Sequence, residues 1–132
     1  MYFFNDQDQH DVNKLFGFSI GHHHKNSYRF GWRPNLNLNK MEIVGYEYHN
    51  RVRIPTIPIC DVELNKWYKY VIIYFSALKE VKYCVYDEDE NTICSEKSSS
   101  ITLKHRYNLG YNLYLYFGGN KKAPHDIIIY ME

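Results

Sequence analysis

The sequence predicts an all-β fold, a single-domain antiparallel β-sandwich of the jelly-roll type that spans residues 1–132. Aromatic residues make up 17% of the chain, and Tyr, Ile, Val and Phe, which suit half-buried strands, dominate its apolar positions. Alanine, which helical interiors use heavily, occurs only at Ala77 and Ala123. Short apolar segments separated by turn residues recur along the chain. We therefore expect more than about 40% strand and less than about 10% helix.

Four segments in the first half of the chain predict strands, over residues 14–20, 28–33, 41–48 and 52–59. In the second of these segments, Tyr28, Phe30 and Trp32 alternate with Arg29 and Arg33. Alternate side chains of a strand point to opposite faces. The three rings should therefore be buried, and the two arginines should face outward.

The later segments predict strands of different kinds. Pro55 and Pro58 cannot donate to a β-ladder, so the fourth segment should be an edge strand or a bulged strand. The run from Trp67 to Phe75 is apolar on both faces, which predicts a central strand. Further strands are predicted over residues 80–86, 92–95, 101–104, 110–117 and 126–131. The side chains expected to be mostly buried are Trp67, Tyr70, Val71, Ile73, Leu113, Leu115, Phe117, Ile127 and Ile129.

Charge and apolar runs argue against several classes of protein. The formal net charge is +1 and no basic cluster stands out, which disfavours a nucleic-acid partner. No apolar run approaches the roughly 20 residues that cross a bilayer, so we expect no membrane association.

The start of the sequence has no secretory signal, and the expected location is the cytoplasm or a virion. The three cysteines, Cys60, Cys84 and Cys94, form no Cys-x-x-Cys pair and are expected to be reduced thiols.

Two stretches resemble the concanavalin A-like sandwiches of lectins and glucanases. The run NKWYKYVIIYFSALKEVKYCVYDEDEN, residues 65–91, is similar to the central hairpin of those folds. The run YNLYLYFGGNKKAPHDIIIYME, residues 111–132, resembles the close of laminarinase-type glucanases, with a turn at Gly118, Gly119 and Asn120. The superfamily's hydrolases carry Glu-x-Asp-x-x-Glu on one strand, and this sequence has no such motif. The resemblance therefore implies a lectin-like domain without catalytic activity.

Tyrosines form the candidate binding surface. Tyr46 and Tyr48 share one face of the third predicted strand, and Tyr114 and Tyr116 share an outward face with Asn112. Flat rings beside amide groups are typical of a sugar-binding platform, since sugar C–H faces stack on rings and amides bind hydroxyls. The alternative is that these tyrosines complete a buried second layer of the sandwich.

Arg29 and Arg33 form a second candidate group on one strand. Their guanidinium forks could bind the carboxylate or phosphate of an acidic sugar or an acidic protein partner. The alternative is that both arginines pair with Glu42 and Glu47 across the hairpin.

Two short motifs are given structural interpretations. If residues 22–24 continue a strand, His22 and His24 converge as candidate metal ligands, His23 points away, and His125 and Asp126 could add donors across the sheet. Since the sequence shows no pattern of partners that would orient these ligands, we expect an exposed polar turn and no metal site. The letters GFSIG, residues 17–21, match a nucleophile elbow, but the helix that such an elbow requires does not follow. We expect no catalytic residues, metal or cofactor.

Two classes of function remain open. The first is a non-catalytic lectin-like module that binds a glycan on its tyrosine-rich face. The second is a structural or interaction protein, such as a virion-associated jelly roll or a mobile-element inhibitor of a host protein. In that case the aromatic face would dock a protein, or a second copy of the chain.

Overall fold

The computed structural model describes residues 12–35, 40–75, 78, 80–98, 110–116 and 128–131. In those residues 66% of the chain is strand and none is helix, which confirms the predicted all-β class. No helix within this part could cross a bilayer. The nine strands are β1 (Asn13–Ile20), β2 (Ser27–Asn35), β3 (Lys40–His49), β4 (Val52–Arg53), β5 (Ile57–Val62), β6 (Lys69–Phe75), β7 (Glu80–Tyr86), β8 (Thr92–Ser98) and β9 (Gly110–Leu113).

The strands form two antiparallel sheets. The first sheet has the order β4-β3-β2-β1-β9, and β5 pairs with β3 on the same side as β4. The second sheet has the order β6-β7-β8. Neighbours along the chain are mostly neighbours in a sheet, as expected of hairpins, whereas β9 returns from far along the chain to pair with β1.

The hydrophobic core lies between the two sheets. Tyr28, Phe30 and Trp32 on β2 are all fully or almost fully buried, as the alternating pattern predicts. From the second sheet, β7 contributes the buried Tyr83, whose ring meets that of Phe30 at a centroid distance of 5.2 Å. Each fully buried side chain of this size stabilises the fold by about 1.5–3 kcal/mol. The inward faces of the two sheets therefore pack together in a sandwich-like arrangement.

The run from Trp67 to Phe75 does not form the predicted central strand in the part of the chain that the structure describes. Among the nine described strands, β6 lies at an edge of the second sheet and β7 occupies the centre. Trp67 precedes β6 and is 54% exposed. Because an apolar run shows only that both faces are partly covered, it does not distinguish a central strand from a covered edge.

Other predicted core positions have mixed outcomes. Tyr70 and Ile129 are partly buried against the core. Leu115 is 36% exposed, so its predicted burial is wrong. Val71, Ile73 and Leu113 have intermediate burial, and Phe117 and Ile127 lie outside the described residues.

The proline-containing segment behaves as predicted. It divides into β4 and β5, with residues 54–56 outside any strand. The pairing of β3 with β5 shifts register between Ile43 and Val44, where Pro58 lies opposite Val44. The segment is therefore bulged, as the missing N–H groups require.

The end of the chain differs from its prediction. Residues 128–131 form no strand, although a strand was expected over 126–131. The expected strand over 101–104 and the expected turn from Gly118 to Asn120 both lie outside the described residues.

A disulfide joins the two sheets, so the expectation of three reduced thiols is wrong. Cys60 on β5 is bonded to Cys94 on β8, with a Cα–Cα distance of 6.2 Å. Cys84 on β7 is buried and unpaired. The pairing brings together residues 34 positions apart in sequence, and cysteine spacing alone does not reveal such a pairing.

Candidate functional site

The outward face of the first sheet brings together residues from four strands and from the segment that follows β9. Strand pairing places Arg29 on β2 opposite Tyr46 on β3, and Tyr48 opposite Arg53 on β4. At the other edge, an isolated bridge places Lys14 on β1 opposite Tyr116, just beyond β9. We call this surface the tyrosine–arginine face, which consists of Lys14, Arg29, Tyr46, Tyr48, Arg53 and Tyr116.

Cations lie over the tyrosine rings of this face. The Lys14 Nζ is 4.5 Å from the centroid of the Tyr46 ring and 5.3 Å from that of Tyr116. The Arg53 guanidinium carbon is 4.9 Å from the centroid of the same Tyr46 ring. Such cation–π contacts each contribute about 0.5–1 kcal/mol at exposed sites. The Tyr46 ring therefore supports two cations, and its pKa is raised by burial and by a hydrogen bond with Tyr48.

Arg29 occupies the middle of the face because its neighbour on β1 is a glycine. Gly17 lies opposite Arg29, and a Cβ on Gly17 would come within 2.7 Å of the Arg29 Cγ. The guanidinium donates a hydrogen bond to the carbonyl oxygen of Tyr114. Its Nε is buried and has no hydrogen-bond partner among the described residues. Burial lowers the pKa of Arg29, but an arginine remains charged at neutral pH.

Arg33, also predicted as a binding residue, lies on the same outward side of β2 as Arg29, but it pairs with Glu42 and not with the tyrosines. Its Nε and a terminal nitrogen donate to the two oxygens of Glu42 at 2.9 and 3.0 Å, a bidentate pair. That pair agrees with the structural alternative for Arg33. The predicted pairing of an arginine with Glu47 is wrong. Glu47 lies opposite Tyr28 and is buried on the inward side of the sheet, whereas the arginines face outward.

Asn112 is also separated from the tyrosines with which it was grouped. It lies opposite Phe18, whose ring packs on the buried Tyr28 at a centroid distance of 5.2 Å. Leu113 instead lies opposite Gly17, on the same side as Arg29. The predicted common face of Asn112 and the outward tyrosines is therefore wrong, because the pairing of β9 with β1 gives Asn112 the opposite orientation.

Tyr114 and Tyr116 are exposed, as the platform interpretation requires. The exposed fractions are 73% for Tyr114 and 58% for Tyr116. Tyr46 and Tyr48 are half-buried, with ring centroids 5.9 Å apart. These rings do not form a fully buried second layer of the sandwich.

A turn of three histidines borders the face. Residues 21–26 connect β1 to β2, and the His24 ring lies 5.3 Å from the Tyr48 ring. The pKa of His23 is lowered by burial and by the nearby His24, His22 and Arg29.

A groove beside the start of β6 was missed by sequence reasoning. It has a volume of about 580 Å³ and is lined by Trp67 and Tyr130, which are exposed, and by Glu88 from the β7–β8 turn. The backbone N–H of Trp67 donates to a carboxylate oxygen of Glu88 at 3.1 Å. The apolar pattern placed Trp67 in the core, whereas the structure places it two residues before β6. The available signal was that Trp67 is the first residue of the predicted strand, where a side chain can lie at a rim.

No protein-family model matches the sequence, and comparisons with curated proteins and with solved structures found no significant match.

Proposed function

We propose that the protein is a non-catalytic, lectin-like module that binds an anionic glycan on its tyrosine–arginine face. The observation that carries this proposal is the position of Arg29. Its guanidinium is half-buried in the middle of the face, and its Nε has no partner in the described part of the chain. A buried donor without a partner carries a free-energy cost that a ligand oxygen would relieve.

The charges of the face favour an anionic ligand over a neutral one. Arg29 and Arg53 form no ion pair within the described residues, and the Lys14 Nζ lies near the rings of both Tyr46 and Tyr116. Guanidinium groups bind carboxylates and phosphates in a forked geometry. Both cations over Tyr46 cover its ring, so that ring supports the charges and is a poor stacking surface for a neutral sugar.

The exposed tyrosines favour a glycan over a small free anion. Tyr116 and Tyr114 extend the charged surface towards the β9 edge with rings that are more than half exposed. Aromatic rings stack on the C–H faces of sugars, while the cations hold the acidic group. A uronic acid, sialic acid or sulfated sugar combines both features.

The alternative is an interaction protein whose tyrosine–arginine face docks an acidic protein surface, as a virion component or an inhibitor of a host protein would. Arginine and tyrosine are common at the energetic centres of protein interfaces. The same face would be used, so the ligand class decides between the two functions.

The test is a glycan array that contains acidic sugars and their neutral counterparts, followed by titration of any ligand found. We expect acidic glycans to bind, and Arg29→Gln or Arg53→Gln to weaken binding by about tenfold or more. Arg33→Gln is the matched control, because Arg33 lies on the same side of the sheet but its guanidinium is already paired with Glu42.

Three outcomes would contradict the proposal. If the protein binds neutral glycans and Trp67→Ala abolishes that binding, the binding site is the groove lined by Trp67 and not the tyrosine–arginine face. Equal loss in Arg29→Gln and Arg33→Gln would show a nonspecific charge effect. Absence of any glycan ligand, together with a specific acidic protein partner or a stable homo-oligomer, would favour the interaction protein.

A further inference from the structure

The turn between β1 and β2 positions three consecutive imidazoles on the same side of the backbone. His22, His23 and His24 each offer one ring nitrogen, and these nitrogens all lie within 4.8 Å of one another. The ring centroids of His22 and His23 are 4.4 Å apart, and those of His23 and His24 are 4.1 Å apart. Strand alternation would have sent His23 to the opposite face, but these residues form a turn.

The backbone of the turn is held by several hydrogen bonds. Gly21 follows β1 and has a φ of +74°, and the carbonyl of His22 accepts from the N–H of Lys25 at 2.8 Å. The neighbouring β3–β4 turn is bonded to it, because Arg51 donates to the carbonyl of Lys25 at 2.9 Å and Asn50 donates to the buried side chain of Asn26 at 3.0 Å. The three imidazoles are therefore attached to a fixed support.

The donor set determines which metals fit. Three imidazole nitrogens suit Zn²⁺, Cu²⁺ and Ni²⁺, whereas Mg²⁺ and Ca²⁺ require oxygen ligands. Metal–nitrogen bonds of about 2.0–2.1 Å place tetrahedral ligands roughly 3.4 Å apart. The exposed rings of His22 and His24 can close the remaining distance by side-chain rotation.

Open space lies beside the imidazoles. A cavity of about 360 Å³ is lined by His22, His23, Ser19, Gly21, Tyr111 and Leu113. A three-histidine site with such a cavity leaves a coordination position for water or for a ligand group. We propose that His22, His23 and His24 bind one divalent transition-metal ion, with a fourth position open to this cavity.

The experiment uses the full chain without any affinity tag, stripped of metal and kept under non-reducing conditions so that the Cys60–Cys94 bond is intact. Zn²⁺ is titrated by calorimetry and in competition with a chromogenic chelator, and Mg²⁺ serves as the negative probe. We expect one Zn²⁺ per chain, and a loss of affinity of about tenfold or more in His22→Ala, His23→Ala and His24→Ala.

His49→Gln is the control, because His49 is already hydrogen-bonded to Glu47 at 2.8 Å. We expect it to retain the wild-type Zn²⁺ affinity, and we expect the three alanine variants to melt like wild type without metal because they alter a surface turn. The proposal is overturned if wild type binds no Zn²⁺, if the alanine variants bind as tightly as wild type, or if His49→Gln weakens binding as much as they do.

Discussion

The hydroxyl of Tyr83 donates a hydrogen bond to a carboxylate oxygen of Glu47 at 2.8 Å, and this contact connects the two sheets through the core. Glu47 is only 1% exposed, and its other oxygen lies 2.8 Å from His49 Nε2. A buried carboxylate is tolerated when its lone pairs are satisfied in this way. Burial and the nearby Glu47 raise the pKa of Tyr83 well above its ordinary value, so the hydroxyl remains a donor at neutral pH.

Tyr83→Phe should therefore destabilise the protein. It removes the donor and leaves a buried oxygen of Glu47 with one fewer partner, which costs about 1–3 kcal/mol. Tyr28→Phe is the matched control, because the Tyr28 hydroxyl is buried without a hydrogen-bond partner in the described part of the chain. Its removal should be neutral or stabilising. Chemical denaturation measures both, and equal losses would contradict the assignment of the Tyr83 bond.

Alkaline pH should unfold the protein through its buried tyrosines. Burial raises the pKa of Tyr28, Tyr70 and Tyr83 above the ordinary value of 10, so the folded state holds protons that the unfolded state releases. The associated stability is fully present below about pH 10 and decreases above it, by about 1.4 kcal/mol per pH unit for each tyrosine that stays protonated. Denaturation midpoints measured between pH 8 and pH 12 test this, and a flat profile would contradict it.

Loss of the Cys60–Cys94 bond should lower the free energy of unfolding. The bond closes a loop between residues 34 positions apart, which corresponds to about 3–4 kcal/mol in the chain-entropy description. The double variant Cys60→Ser with Cys94→Ser should show this loss, whereas Cys84→Ser leaves the bond intact. Alkylation of the denatured, unreduced protein followed by mass spectrometry should label Cys84 alone. Labelling of all three cysteines would contradict the pairing.

Gly17→Ala should disrupt both the first sheet and the binding face. A Cβ on Gly17 would lie 2.0 Å from the carbonyl oxygen of Tyr28 and 2.6 Å from the Arg29 Cα, and backbone atoms have little freedom to move away. Overpacking of this kind costs about 1–3 kcal/mol. Gly21→Ala is the comparison, because nothing lies within 4 Å of its Cβ position and only the φ of +74° opposes it. Thermal melting should show the larger loss for Gly17→Ala.

Tyr114→Ala and Tyr116→Ala should reduce ligand binding while leaving stability nearly unchanged. Both rings are more than half exposed, so their removal should cost less than about 1 kcal/mol of stability. Tyr28→Ala, in contrast, should cost about 3–5 kcal/mol because it removes a buried ring. One thermal-shift plate compares the three variants. A large loss of stability in Tyr114→Ala and Tyr116→Ala would mean that these rings support the fold.

The sequence was sufficient where one strand's own pattern decides the outcome. The alternation of Tyr28, Phe30 and Trp32 with two arginines identified the buried face of β2, and it also placed Arg29 outward. The pairing of strands that are distant in sequence could not be predicted from the pattern within any one strand. The register of β9 against β1 places Asn112 on the face opposite to the predicted one. Cys60 and Cys94 are bonded because β5 and β8, from different sheets, pack against each other.

The histidines show a second limit of sequence patterns. Side-chain direction was inferred from strand alternation, which fails as soon as the chain turns. His22 and His23 lie in a turn after Gly21, so neighbouring side chains converge instead of alternating. Trp67 shows a related limit, since its apolar character could not tell a core position from a groove rim.

The Cys60–Cys94 bond also determines how the molecule would bear tension. A pull on the two ends of the chain passes from β5 directly to β8 through the bond, so the intervening segment with β6 and β7 carries no load. At about 3.5 Å per extended residue, the 34 positions inside the loop correspond to roughly 120 Å of chain that cannot extend until the bond is reduced. Under force, β7, the central strand of the second sheet, would bear no tension, while the strands outside the loop would be extended.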